Sequence, residues 1–94
     1  MSQSFESTIR LSADLHARPA GQVVQTVARF DASVTVEFGE READARGVLD
    51  VMCLGATAGH EVTLRGVGPQ AEQALAALAL LLGEVPKLDS QPSR

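Results

Sequence analysis

Two hydrophobic periods alternate along the chain. From Ser33 to Phe38 the pattern is strictly of period two, with Val34, Val36 and Phe38 on one side and Thr35 and Glu37 on the other. That is the signature of a strand with one buried face. Ala71, Leu75, Leu78 and Leu82 recur instead at helical spacing, in a run of alanine and leucine that favours helix intrinsically. Gly83 and Pro86 limit this helix, and Lys87 to Arg94 reads as a frayed tail. Phe5, Ile9 and Leu11 share one parity against Glu6, Thr8 and Arg10, which predicts a first strand, although Ser7 falls on its apolar side. After a turn at Gly39-Glu40, residues Arg41 to Ala45 alternate back as a hairpin partner that shows Ala43 and Ala45 to the core. This segment is small and acidic, as suits an edge strand, because charge there discourages pairing with another chain. Glu61 to Arg65 predicts a fourth strand, with Val62 and Leu64 opposite Thr63 and with Gly66-Val67-Gly68-Pro69 as punctuation.

Ala20, Val23, Val24, Val27 and Ala28 lie at i, i+3, i+4, i+7 and i+8, one face of an amphipathic helix. It starts between His16 and Pro19, because proline is tolerated only in the first turn, and runs to about Arg29 or Phe30 before Asp31-Ala32-Ser33. Gly47 to Leu54 predicts a short, unusually apolar helix with two stripes, Val51 with Leu54 and Val48 with Leu49 and Met52. A one-sided core accommodates only one stripe fully. Either both stripes are buried, as is common in a small domain, or Val48, Leu49 and Met52 form an exposed patch for protein partners, to which a flexible methionine adapts well. The order strand, helix, strand, strand, short helix, strand, helix predicts an α+β open-faced sandwich, a four-stranded antiparallel sheet with three helices on one face. A single domain is expected over 1–94, its core about residues 4–85, with no internal repeat.

Composition narrows the function. A net charge of −4 and the absence of tryptophan and tyrosine argue against nucleic acid, which needs a basic footprint and stacking platforms. Cys53 is the only cysteine, so no internal disulfide or thiolate metal cluster is possible, and its apolar neighbours suggest an inert small hydrophobe. The longest apolar run, Ala74 to Leu82, is too short to span a bilayer. The first residues, Met1 to Glu6, lack the regions of a signal peptide, so a cytoplasmic location without membrane insertion is expected.

The chemistry concentrates in Leu15-His16-Ala17-Arg18-Pro19-Ala20-Gly21. The predicted helix start brings an imidazole, a guanidinium and unpaired backbone amides to the positive end of a helix dipole, a ready site for a dianionic phosphoryl group. His16 is the only nucleophile there, and Ala17 and Gly21 leave the mouth open to a partner. Ala17 and Arg18 supply the phosphate-binding amides and Arg18 the side chain. His60 follows a glycine at a strand start with no arginine nearby, and reads as an exposed structural residue. Glu40, Glu42 and Asp44 read as a solvated strand face. Neither a metal site nor a cofactor is expected.

The stretch LHARPAG resembles the active-site signature of the HPr family, the histidine-containing phosphocarriers of the bacterial phosphotransferase system. The resemblance covers roughly residues 4 to 85. It implies the same open sandwich, His16 as phosphoacceptor through Nδ1, and Arg18 as its phosphate partner. It also implies enzyme I as donor, a IIA-type sugar-specific protein as acceptor, and a monomeric carrier without turnover of its own. The short helix then belongs to the docking surface, with Val48, Leu49, Met52 and Arg46 as contacts. This chain departs from the family at three places. Asp14 stands where a glycine is usual, which adds a charge expected to oppose phosphate. Gly47 stands at the position of the regulatory serine, so that modification has no hydroxyl to use. The exposed face of the first helix has no basic residue between Arg18 and Arg29. A carrier of a nitrogen-related or dihydroxyacetone-kinase branch, and a binding module that is not phosphorylated, are the competing functions.

Overall fold

The computed structural model describes residues 4–83. The expected tail from Lys87 lies outside the described residues. Along the chain run β1 (Ser4–Arg10), α1 (Ala17–Val27), β2 (Ser33–Phe38), β3 (Arg41–Asp44), α2 (Val48–Met52), β4 (Glu61–Val67) and α3 (Ala71–Leu82). The strands form one antiparallel sheet in the order β1-β4-β2-β3, with β3 at an edge as its charge predicts. Inward positions of the strands, Val34, Val36, Ala43, Val62 and Leu64, meet Ala20, Val23, Val27, Val51, Ala74 and Leu78 from the helices. The sequence reading of an α+β open-faced sandwich is the fold observed.

Two boundaries bear on the packing and differ from the sequence expectation. α1 stops at Val27, two or three residues early. Its last turn tightens there, with Arg29 and Phe30 amides donating three residues back to Thr26 and Val27. The buried face of α1 accordingly takes in Thr26 and leaves Ala28 exposed. β4 continues through Gly66 to Val67, pairing with β1 and β2 to its end. Gly66 is buried under α3: a Cβ there would lie 3.2 Å from the Ala71 Cβ and 3.3 Å from the Leu75 side chain. Its glycine is thus a site of close approach, not a strand terminator. α3 docks back on the α1–β2 connection by a reciprocal pair, Gln70 N donating to the Asp31 carbonyl at 3.0 Å and Asp31 N to Gln70 Oε1 at 2.8 Å.

Candidate functional site

The segment from Leu11 to Leu15 has no regular structure of its own, yet almost every residue in it is tied down. Leu11 exchanges backbone bonds with His60 and Gly59, both at 2.9 Å. Ser12 donates from both its amide and its hydroxyl to the Leu82 carbonyl at the end of α3. Asp14 Oδ1 accepts the Ala58 amide at 2.8 Å, and the Leu15 amide donates to the Ala56 carbonyl at 3.0 Å. The Leu15 side chain is buried in the core. The residue that follows is delivered from a fixed platform.

That residue is His16, the N-cap of α1, with extended dihedrals of φ −90° and ψ −161°. Its carbonyl accepts the Ala20 amide at 2.9 Å, which starts the helix. The usual N-cap residues turn a side-chain oxygen over the first amides. His16 makes no such capping bond, and the first turn contains no acidic residue. Pro19 has no N–H, so the open donors of the first turn are the amides of Ala17 and Arg18. His16, Ala17 and Arg18 are all exposed. An exposed imidazole, two unsatisfied amides and a guanidinium thus share one helix end. Arrangements of this kind attract anions, because partial positive charge and oriented donors converge there.

The neighbouring α2 divides its apolar residues unequally. Val51 is fully buried and Leu54 nearly so, while Val48 and Met52 are half-buried against the core. Leu49 alone stands clear, 72% exposed, so the expected three-residue patch is one protruding leucine with two shallow flanks. Arg46 precedes α2, and its guanidinium donates to the Ala32 carbonyl at 3.0 Å, at the end of α2 remote from Ala56. Arg41 was not singled out from the sequence. Its guanidinium reaches the Cys53 carbonyl at the C-terminal end of α2 at 3.3 Å, three residues before the segment that holds Leu15. Only the hairpin register, which returns β3 beside α2, brings it there. Cys53, read from its neighbours as an inert small hydrophobe, is exposed as the C-cap of α2.

His60 sits behind the platform. Its Nδ1 accepts the Thr57 amide at 3.0 Å, which leaves the proton of the neutral ring on Nε2, and the ring lies 4.8 Å from that of Phe38. These contacts close the 57–60 turn. Glu40, Glu42 and Asp44 are exposed on the β3 hairpin. Among the described residues no three His, Cys, Asp or Glu side chains converge as metal ligands, and no helix is long and apolar enough to cross a membrane.

A one-sided sandwich that offers a histidine at an unblocked helix start belongs to the class of small phosphocarrier domains. The comparisons with known proteins place it more closely. A family model described as the PTS HPr component phosphorylation site matches residues 3–84. The phosphocarrier protein HPr of Vibrio cholerae is 34% identical over 83 residues, covering 86% of this chain and 98% of the relative. A multiphosphoryl transfer protein of Xanthomonas campestris is 33% identical over 82 residues, 87% of this chain but 10% of that much longer protein. The crystal structure of an HPr from Bacillus anthracis superimposes with a TM-score of 0.79 at 30% identity, covering 84% of this chain and 96% of that one. The chain belongs to the HPr family, the phosphocarrier proteins of the bacterial phosphotransferase system.

Proposed function

We propose that His16 is the residue that carries the phosphoryl group, taking it from phospho-enzyme I and passing it to a IIA-type protein. The observation that supports this most is the N-cap itself, where His16 leaves the amides of Ala17 and Arg18 without acceptors. A neutral imidazole nitrogen attacks the phosphorus of the donor in line with the leaving group. The new N–P bond forms as the donor's bond to phosphorus breaks, and the donor keeps that electron pair. The two amides and the Arg18 guanidinium hold the equatorial oxygens, where charge is spread in the transition state. The group then leaves by the reverse attack from the next protein. The chain acts as a single-domain cytoplasmic monomer without a cofactor, and it has no turnover apart from its partners.

Docking of both partners uses the exposed Leu49, with Val48 and Met52 beside it and with Arg41 and Arg46 at the two ends of α2. Gly47 at the α2 N-cap has no hydroxyl, so this position is not a target of serine phosphorylation. The exposed Gln22 and Gln25 on α1 give that face no cation between Arg18 and Arg29. This favours, as a second reading, a partner outside the sugar pathway, in a nitrogen-related or dihydroxyacetone-kinase branch.

The test is incubation with phosphoenolpyruvate and purified enzyme I, read by intact mass. One acid-labile phosphate on the unaltered chain and none on His16→Ala is the expected result. Full labelling of His16→Ala overturns the assignment. So does an unlabelled chain beside an ordinary HPr that is labelled in the same tube.

A further inference from the structure

Asp14 is the one carboxylate in the segment that leads to His16, and its placement has a specific geometry. Its Oδ1 accepts the amide of Ala58, 44 residues away in sequence, at 2.8 Å. One residue on, the Leu15 amide donates to the Ala56 carbonyl at 3.0 Å. The two bonds run in opposite senses between the same two segments, so together they resist both sliding and hinging of one segment against the other. They also act on the two residues immediately before His16. Nothing comparable lies on the other side of His16 before the helix bond from Ala20. The backbone direction of the histidine is therefore set by this pair, by the buried Leu15 side chain and by the helix start.

A negative charge two residues from a site for a dianion is unfavourable by simple electrostatics. A neutral acceptor of the same shape would bind the Ala58 amide without that penalty, but more weakly, since a carboxylate makes the stronger hydrogen bond. We infer that Asp14 is a positioning residue for phosphoryl transfer: it clamps residues 56–58 to the platform and so fixes the angle at which His16 and the amides of Ala17 and Arg18 meet the donor. It does not touch the phosphoryl group. The inference rests on His16 being the phosphoacceptor, and it reverses the effect expected from the charge of Asp14 alone. Near-attack geometry is worth large factors in rate, and displacements of about 1 Å cost roughly a hundredfold, so a clamp two residues away has leverage that its exposed position hides.

The experiment compares the unaltered chain with Asp14→Ala and Asp14→Asn. Initial rates of phosphorylation by phosphoenolpyruvate and enzyme I are measured alongside amide hydrogen exchange at Leu15 and Ala58. Asp14→Ala is expected to label about tenfold more slowly, with faster exchange at both amides and an unfolding midpoint little changed. Asp14→Asn, which keeps an acceptor oxygen, restores most of the rate. Equal slowing in both variants shows that an acceptor oxygen at this position does not restore the rate and overturns the clamp, as does labelling of both at or above the unaltered rate. The exchange measurement needs no donor: unchanged exchange in Asp14→Ala overturns the clamp whether or not phosphate is accepted. Absence of label on the unaltered chain tells instead against His16 as the phosphoacceptor.

Discussion

Glu37 and Glu42 stand directly opposite one another across the β2–β3 ladder. Like charges in that relation weaken a sheet. Arg65 on β4 offsets the repulsion from the other side, with its Nη1 2.6 Å from Glu37 Oε2 and its Nη2 2.8 Å from Glu6 Oε2 on β1. One guanidinium thus links three adjacent strands on the open face of the sheet.

The Glu6 hydrogen bond first, and then the charge of Glu37, hold the Arg65 guanidinium above its ordinary pKa. A base whose pKa is raised on folding stabilises the fold below its unfolded value and loses that contribution only as pH climbs through the folded one. The contribution of the Arg65 charge is therefore constant through neutral pH and sensitive instead to salt. Arg65→Gln should lower the urea midpoint at low ionic strength. The deficit should shrink in about 1 M salt, where screening acts over roughly 3 Å, and Glu42→Gln should partly restore the loss. A deficit independent of salt would assign the effect to packing of the arginine stem.

Arg18 is exposed and has no hydrogen bond or ion pair among the described residues. Its removal should leave stability within about 0.5 kcal/mol. A charge-assisted hydrogen bond to a phosphoryl oxygen is worth about 1.5–3 kcal/mol, so Arg18→Ala should slow labelling roughly ten- to a hundredfold. Arg18→Lys should recover only part, because an ammonium cannot present a planar fork of donors. Stopped-flow rates with enzyme I, set beside a urea titration, check both halves.

Leu49 points outward from a helix of five residues whose inner face is already satisfied by Val51. Leu49→Ser should leave the urea midpoint nearly unchanged and raise the KM of enzyme I for this chain by about tenfold, the loss of one apolar contact at an interface centre. A large fall in stability with unchanged KM would make Leu49 a structural residue instead.

Gly66 has 3.2–3.3 Å of clearance to Ala71 and Leu75 for any added Cβ. Gly66→Ala forces α3 outward, and overpacking of this kind costs about 1–3 kcal/mol. The stiffer unfolded chain returns about 0.4–1 kcal/mol of that. A modest net loss is expected from alanine and a larger one from Gly66→Val, both read from chemical denaturation. Phosphate acceptance should survive in any fraction that remains folded.

What the sequence makes legible is whatever depends on neighbours along the chain. The alternation of Val34, Val36 and Phe38 and the helical spacing of Leu75, Leu78 and Leu82 each locate an element to within a residue. The start of α1 is equally readable, because Pro19 permits only a narrow range of beginnings. The missed features depend on residues far apart in sequence. Gly66 reads as a strand end until α3 is seen lying on it. Cys53 reads as one more small hydrophobe until Val51 and Leu54 are seen to fill the one face that α2 can bury. The bond between Asp14 and Ala58, and that between Arg41 and the Cys53 carbonyl, follow from how loops meet, for which residue type gives little signal.

The strand order carries a consequence for how the molecule comes into being. β1 pairs with β4 alone, Ser4 opposite Val67 and Arg10 opposite Glu61. The first of the four strands thus has no sheet partner until synthesis has passed Val67, and the platform before His16 likewise waits for residues 56–60 and Leu82. Pairings so distant in sequence form late and slowly. A growing polypeptide exposes His16 early, but it holds that residue on its platform only once the sheet is complete.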